Sequence, residues 1–382
     1  MERDADQPDV AVRRKPRPTA AREFPCPSCG ASLKFTPGQH ALTCAYCGHV
    51  EEVPHTAEAI REYDLNDALH NRQGPSGWGR PAQEIRCQQC GAVTVFSGEQ
   101  SAGACAFCGS SRVVAAEAEE DLIRPESLIA FVIDRDRAFT LFGEWLRGLW
   151  FRPNALKQAG DTARLSGVYL PYWTFDSATS SWWTADAGYY YYETETYTTT
   201  DAQGRRVTRT RQVQKTRWVP ASGFHPDFFD DVLIDASLGL TSKLLRGILP
   251  FDLDALENYD PGYLAGYLAE RYQVDLPDAW TEAQSRMESA LYSRCAAEVP
   301  GDTHRNLSVN TAFSGSTFKH LLLPVWVSAY QYGGRAYRFL VNGQTGEVTG
   351  EAPWSWWKII GFILLLAALG GVIYLVAQLS GG

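Results

Sequence analysis

The pattern of apolar and polar positions divides the 382-residue chain into stretches of different character. Short alternating runs come first, Ser32-Leu33-Lys34-Phe35 and Ala92-Val93-Thr94-Val95-Phe96, and their period of two predicts strands. Ala138 to Leu149 then places Phe139, Phe142, Trp145, Leu146 and Leu149 at spacings of three and four, an amphipathic helix ended by Pro153. From Gly167 the period returns to two, through Val168 to Phe175 and Ser181 to Tyr192. Asp201-Ala202-Gln203-Gly204 offers turn residues, so a long hairpin with its turn at Ala202-Gln203 is expected. Helical spacing recurs over Pro261 to Arg271 and Pro277 to Glu298. A strand follows at Leu321 to Tyr330, then a hairpin from Ala336 to Val341 through Asn342-Gly343-Gln344-Thr345-Gly346 to Glu347-Val348. Leu170-Pro-Tyr-Trp173 and Leu323-Pro-Val-Trp326 open two similar strand segments. They are read equally well as a diverged duplication or as proline starting a strand twice by coincidence.

The last run, Ile359 to Leu379, is 21 residues long with one clearly polar residue, Gln378. As a helix it would span roughly 31 Å, the thickness of a bilayer's hydrocarbon core. Trp354, Trp356, Trp357 and Lys358 precede it, as an interfacial aromatic belt with a positive flank would. Met1 to Pro18 holds no apolar stretch of the kind a secretory signal needs, so the expected topology is a single-pass tail anchor in the cell membrane with the N-terminal part cytoplasmic. Ala367 and Gly371 form a small-xxx-small pair, for which lipid-facing packing is the plainer reading.

Nine cysteines in a reducing compartment point to metal rather than disulfides. Cys26-x2-Cys29-Gly and Cys44-x2-Cys47-Gly are separated by 14 residues, as are Cys87-x2-Cys90-Gly and Cys105-x2-Cys108-Gly, and each ligand of the first set recurs 61 positions later. Two such knuckles supply four thiolates to one ion. With every position filled by protein there is no place for a reactive water, which predicts two structural zinc ions in two ribbons, with iron–sulfur ligation as the competing reading. Tyr46 and Phe107 hold equivalent positions and are expected to cover the metal. His40, His49 and His55 lie near the first ribbon but are superfluous to a four-cysteine shell. Cys295, alone in a predicted helix, reads as packing.

The remaining chemistry is sparse. Arg205, Arg206, Arg209, Arg211, Lys215 and Arg217 line one arm of the long hairpin as a candidate nucleic-acid or anion surface, although Glu193 and Glu195 on the other arm would partly neutralise it. The tail Arg13-Arg-Lys-Pro-Arg-Pro18 is basic and expected to be disordered. A net charge of −9 argues against a dedicated DNA-coating protein. His225, Asp227, Asp230 and Asp231 form the densest polar cluster, yet nothing in the spacing sets a nucleophile beside a base, and Thr303 and His304 have no evident partner. No catalytic residue is assigned.

The expected fold class is α+β: a disordered basic tail (1–23), zinc ribbon 1 (24–54), a helical linker (55–83), zinc ribbon 2 (84–116), a β-rich cytoplasmic domain with helical insertions (121–354) and a transmembrane anchor (356–379). The twin knuckles, Gly167-Val-Tyr-Leu-Pro-Tyr-Trp173, Thr317-Phe-Lys-His-Leu-Leu-Leu-Pro-Val-Trp326, Val341-Asn-Gly-Gln-Thr-Gly346 and the terminal anchor together resemble a bacterial family of TFIIB-type zinc-ribbon membrane proteins. Members are often labelled primosomal protein N′ (replication factor Y) or superfamily II helicase. A helicase motor needs a G-x-x-x-x-G-K-[ST] phosphate loop, and this chain has no Gly-Lys dipeptide and no Asp-Glu motor box. Some relatives resemble membrane adaptors for the phage-shock protein PspA beside a flotillin-like SPFH protein. The resemblance implies a non-enzymatic scaffold that recruits such proteins to the lipid bilayer under envelope stress. The alternative is a membrane-tethered nucleic-acid binder.

Overall fold

The computed structural model describes residues 24–54, 59–71, 77–78, 83–96, 104–116, 122–153, 165–332 and 335–380. The basic tail and His55 lie outside the described residues.

The first cysteine set sits on an antiparallel sheet of β1 (Leu33–Thr36), β2 (Ala41–Cys44) and β3 (Val50–Glu52). β4 (Tyr63–Asp64) and the short helix α1 (Leu65–Asn71) follow; the described part of the expected helical linker thus holds a strand as well as one brief helix. The second set is carried by β5 (Gln83–Cys87), β6 (Val93–Phe96) and β7 (Val113–Ala116). After β8 (Ser127–Leu128) comes α2 (Arg135–Gly148), whose first turn is capped by the Asp134 carboxylate accepting from the Arg137 N–H at 2.7 Å.

The body is built on two very long strands, β9 (Ser166–Thr200) and β10 (Arg206–Asp235). They are followed by α3 (Ser242–Arg246), β11 (Glu257–Asn258), β12 (Leu268–Glu270), the helix α4 (Leu276–Glu298), β13 (Thr303–Tyr332), β14 (Arg335–Asn342), β15 (Val348–Gly350) and α5 (Trp356–Ser380). Helical spacing over Pro261 to Arg271 is not realised. Pro261–Leu264 makes a 3-10 turn capped by Asp260, Gly266 turns the chain with φ +86°, and Leu268–Glu270 becomes β12 between β6 and β9. Tyr263 and Leu264 are buried, in one core cluster with Phe35 and Leu42 of the first ribbon, so packing overrides the periodicity.

β10, β9, β13 and β14 run side by side, each antiparallel to its neighbour. The two proline motifs meet in the central pair, where Leu170 faces Leu323, Gly167 faces Trp326 and Trp173 faces His320. Because Gly167 and His320 hold equivalent places in the two motifs, this register is that of a local two-fold axis through the leucine pair. Pro171 and Pro324 stand inside their strands, so the reading in which proline starts a strand twice is not realised. Each lacks an N–H for the ladder, and the hairpin partner stops beside it: β10 ends opposite Tyr172 and β14 opposite Val325. The carbonyls of Pro171 and Pro324 accept from the N–H groups of Ala236 and Gly343 at 3.1 and 2.8 Å. The order helix, hairpin, helix, hairpin (α2-β9-β10, α4-β13-β14) supports the duplication.

α4 packs Ala279, Ala283 and Met287 onto Trp173 and Phe175. Cys295, fully buried with Trp183 and Ala185, is a packing residue as expected. β13 pairs with β9 no farther than Gly188, so Tyr189–Thr200 and Arg206–Arg217 continue as a two-stranded arm about 40 Å long. Its turn differs by one residue from expectation. Asp201 and Arg205 close the loop, Gly204 takes φ +79°, and the Asp201 carboxylate accepts from the N–H groups of Gln203 and Arg205.

Candidate metal centres

Four knuckles repeat one local design. In each, the N–H of the glycine after the second cysteine donates to the carbonyl of the first: Gly30 to Cys26, Gly48 to Cys44, Gly91 to Cys87 and Gly109 to Cys105, at 2.8–3.0 Å. All four glycines have φ between +71° and +79°, a conformation that strains any residue with a Cβ. The turn aims backbone N–H groups at sulfur: Cys47 and Tyr46 donate to Cys44, Cys29 and Ser28 to Cys26, and Cys108 and Phe107 to Cys105. Those donors pull the Cys44 thiol down to about 6. Cys90 is brought to about 5, chiefly by the Cys105 thiol beside it.

The sequence repeat converges in space as two groups, Cys26, Cys29, Cys44, Cys47 and Cys87, Cys90, Cys105, Cys108, each with its sulfurs within 4.8 Å of one another. Cys26–Cys47 and Cys29–Cys44 are 3.5 Å apart, Cys87–Cys108 3.6 Å and Cys90–Cys105 3.7 Å. Four thiolates around a tetrahedral ion with bonds of ~2.3 Å would stand about 3.8 Å apart. The donor set and spacing fit one ion per group with all positions taken by protein. His40 and His49 belong to neither group.

The two centres sit differently. Phe107 is completely buried, packed with Leu170, Leu323 and Val325, and the second ribbon joins the main sheet through β6 and β12. Tyr46, its equivalent, is 86% exposed and covers nothing, because the outer knuckle of the first ribbon points to solvent. Near the second centre the buried carboxylate of Glu84 lies 3.2 Å from the Arg271 guanidinium, and Glu270, also buried, is pushed by burial up to about 8. Nothing in the local sequence marks these as interior groups; only the docking of the ribbon buries them.

The arm brings most of its basic residues to one face. Arg217, Lys215, Arg211 and Arg209 lie opposite Tyr189, Tyr191, Glu195 and Tyr197. Arg211 is 3.1 Å from Glu195, Lys215 pairs with Glu193, and Arg205 is 3.4 Å from Asp201, so acidic partners offset a good part of the charge. Arg211 and Arg217 also lie over the rings of Tyr197 and Tyr189. Arg206 faces Thr200 at the tip, on the other face.

The polar cluster around His225 separates into two ties. His225 Nδ1 lies 2.6 Å from Glu298 and Nε2 3.3 Å from Asp227, which in turn pairs with Arg294, stitching β10 to α4. In the bulge between Phe229 and Val232, Asp230 and Asp231 gather with Asp176. Lys319 closes that group, 2.9 Å from Asp231 and 3.0 Å from Glu62. Burial pushes the Asp176 carboxyl up to about 6. Thr303 and His304 serve as the first ladder residues of β13, opposite Gly188 and Ala187. At the far end of the chain, α5 is long and apolar enough to cross a membrane, and none of the window Trp356–Ile373 is buried by the rest of the protein.

The chain is similar to the uncharacterized protein YdjG of Bacillus subtilis (strain 168), with 26% identity over 376 residues that cover 94% of this chain and 98% of that protein. No family model and no solved structure matches.

Proposed function

We propose that the chain is a non-enzymatic adaptor, held in the cell membrane by α5 with its body in the cytoplasm, that recruits protein partners to the bilayer. The observation that carries this reading is the pairing of two closed four-thiolate centres with an apolar, span-length helix that its own chain leaves uncovered. A metal shell without an open position is suited to holding a fold. Zinc is the ion proposed for both centres, and metal analysis of the purified protein is expected to return two zinc ions per chain and no iron. The exposed Tyr46 and the projecting arm offer docking features that the fold does not use. The resemblance to zinc-ribbon membrane proteins supports PspA-like or SPFH-like partners and a place in envelope stress.

One observation favours a second reading. Tyr189, Tyr191 and Tyr197 alternate with Arg209, Arg211, Lys215 and Arg217 on one face of the arm, a pattern of stacking rings and cations suited to single-stranded nucleic acid. Purification of the full-length protein from gently solubilised membranes, with nuclease added to half, separates the two. Protein partners that survive nuclease are expected. Recovery only of nucleic-acid-associated proteins, lost on nuclease treatment, would transfer the function to the arm's basic face.

A further inference from the structure

The segment joining α2 to the body and the segment entering α5 are far apart in sequence and stitched together in space. Ser355 N–H donates to the Phe151 carbonyl at 2.9 Å, the Lys358 ammonium to the Trp150 carbonyl at 3.2 Å, and the Arg152 guanidinium to the Ala352 carbonyl at 2.6 Å. Arg152 also lies over the Trp354 ring at 3.7 Å, and the rings of Phe151 and Phe362 meet edge to face at 5.4 Å. The segment just after α2 is thereby fixed against the entry and first turns of α5. Between them is a cavity of about 440 Å³ lined by Arg147, Trp150, Lys358, Gly361, Phe362 and Leu365.

This cavity has two chemically distinct ends. Arg147 and Lys358 supply two cations, and among the described residues the lining holds no carboxylate, while Phe362 and Leu365 belong to the apolar surface of α5. Gly361 leaves open space beside them, since a Cβ there would meet nothing within 4 Å. Trp150, Trp354, Trp356 and Trp357 stand exposed around the same level, so the aromatic girdle visible in the sequence gains a fourth tryptophan from the other segment. An amphiphile whose anionic group sits at the girdle and whose chain runs down the helix matches both ends at once. A free phosphate would leave the apolar wall uncovered, and a peptide would have to enter a zone occupied by acyl chains.

We propose that this groove is a binding site for one anionic phospholipid, its phosphate between Arg147 and Lys358 and an acyl chain along Gly361, Phe362 and Leu365. The inference rests on the reading of α5 as a membrane anchor and adds to it a lipid preference located in named residues.

The test reconstitutes the full-length protein into phosphatidylcholine vesicles containing a minor share of phosphatidylglycerol. Flotation is measured, the protein is re-extracted in mild detergent, and the retained lipid is quantified by mass spectrometry. The native protein is expected to retain phosphatidylglycerol several-fold above its share in the vesicles. The double variant Arg147→Gln, Lys358→Gln is expected to float equally well and retain the bulk ratio. The exposed pair at the other end of α2, Arg135→Gln with Arg137→Gln, removes the same charge from outside the groove and should keep the enrichment. Bulk-ratio lipid on the native protein, undiminished enrichment on the double variant, or equal loss in the control variant would each overturn the site while leaving the anchor standing. Failure of the native protein to float with any vesicle would overturn the anchor and the site with it.

Discussion

Lys319 illustrates how much rests on single groups in this fold. Its side chain is 8% exposed and meets Asp231 and Glu62, with Asp176 beside them. Replacing it with methionine leaves a partly buried set of carboxylates without a counter-charge, and a loss of about 3 kcal/mol or more is expected from urea unfolding. A loss below about 1 kcal/mol would show that solvent screens the cluster. The neighbouring His320 acts through pH. Its Nδ1–H donates to the Ile123 carbonyl at 2.9 Å, the ring packs against Trp173 and Tyr272, and burial holds its pKa down at about 4. An unfolded histidine titrates near 6.5, so the unfolded chain takes up the proton first. The neutral ring's contribution is complete above about pH 6.5 and declines as pH falls toward 4, by about 2 kcal/mol between pH 6.5 and 5. The stability difference between the native protein and His320→Gln should shrink by that amount over the interval. A constant difference would mean that the imidazole is not held neutral. At this scale the two four-cysteine groups were legible and the burial of Lys319 and His320 was not. A C-x2-C-G turn makes its own geometry from four residues, whereas a charge becomes interior only when distant strands close over it.

Elements repeat the distinction. The knuckles, α2 and α4 follow from local spacing, and both hairpins follow from their turns. The register of the long arm did not, because Gly204 at positive φ lengthens the loop by one residue and moves Glu195 directly opposite Arg211. Pro261–Leu264 and β12 failed as a helix because two glycines interrupt it and the ladder between β6 and β9 claims the rest. The ribbons also differ in how far they are woven into the body, and that difference is testable. Cys47→Ser, in the solvent-facing knuckle, should lose one metal ion and leave the amides of β9 and β13 protected from hydrogen exchange. Cys90→Ser, in the ribbon continuous with the main sheet, should lose one ion and lower global stability by about 3 kcal/mol or more. Equal, local effects of the two substitutions would show that the second ribbon is as independent as the first.

At the scale of the whole molecule, two helix-hairpin units face each other across the Leu170–Leu323 pair, the second ribbon extends their sheet, and α5 starts beside the segment that follows α2. The proline motifs hinted at this symmetry. Their mutual pairing could not be read from one sequence, since residues 153 positions apart carry no local signal of contact. The architecture separates a body that holds two four-cysteine groups from an apolar helix that touches that body at its first turns and leaves the window Trp356–Ile373 unburied, so removal of α5 should leave the proposed docking surfaces intact. The most direct measurement is to find where a nuclease-resistant partner resides in cells carrying either the full chain or a chain ending at Ser355. The account predicts that the same partner co-purifies with both, and that it moves from the membrane fraction to the soluble fraction when only the shortened chain is present. A partner that stays at the membrane without the anchor, or the absence of any protein partner after nuclease, would contradict it.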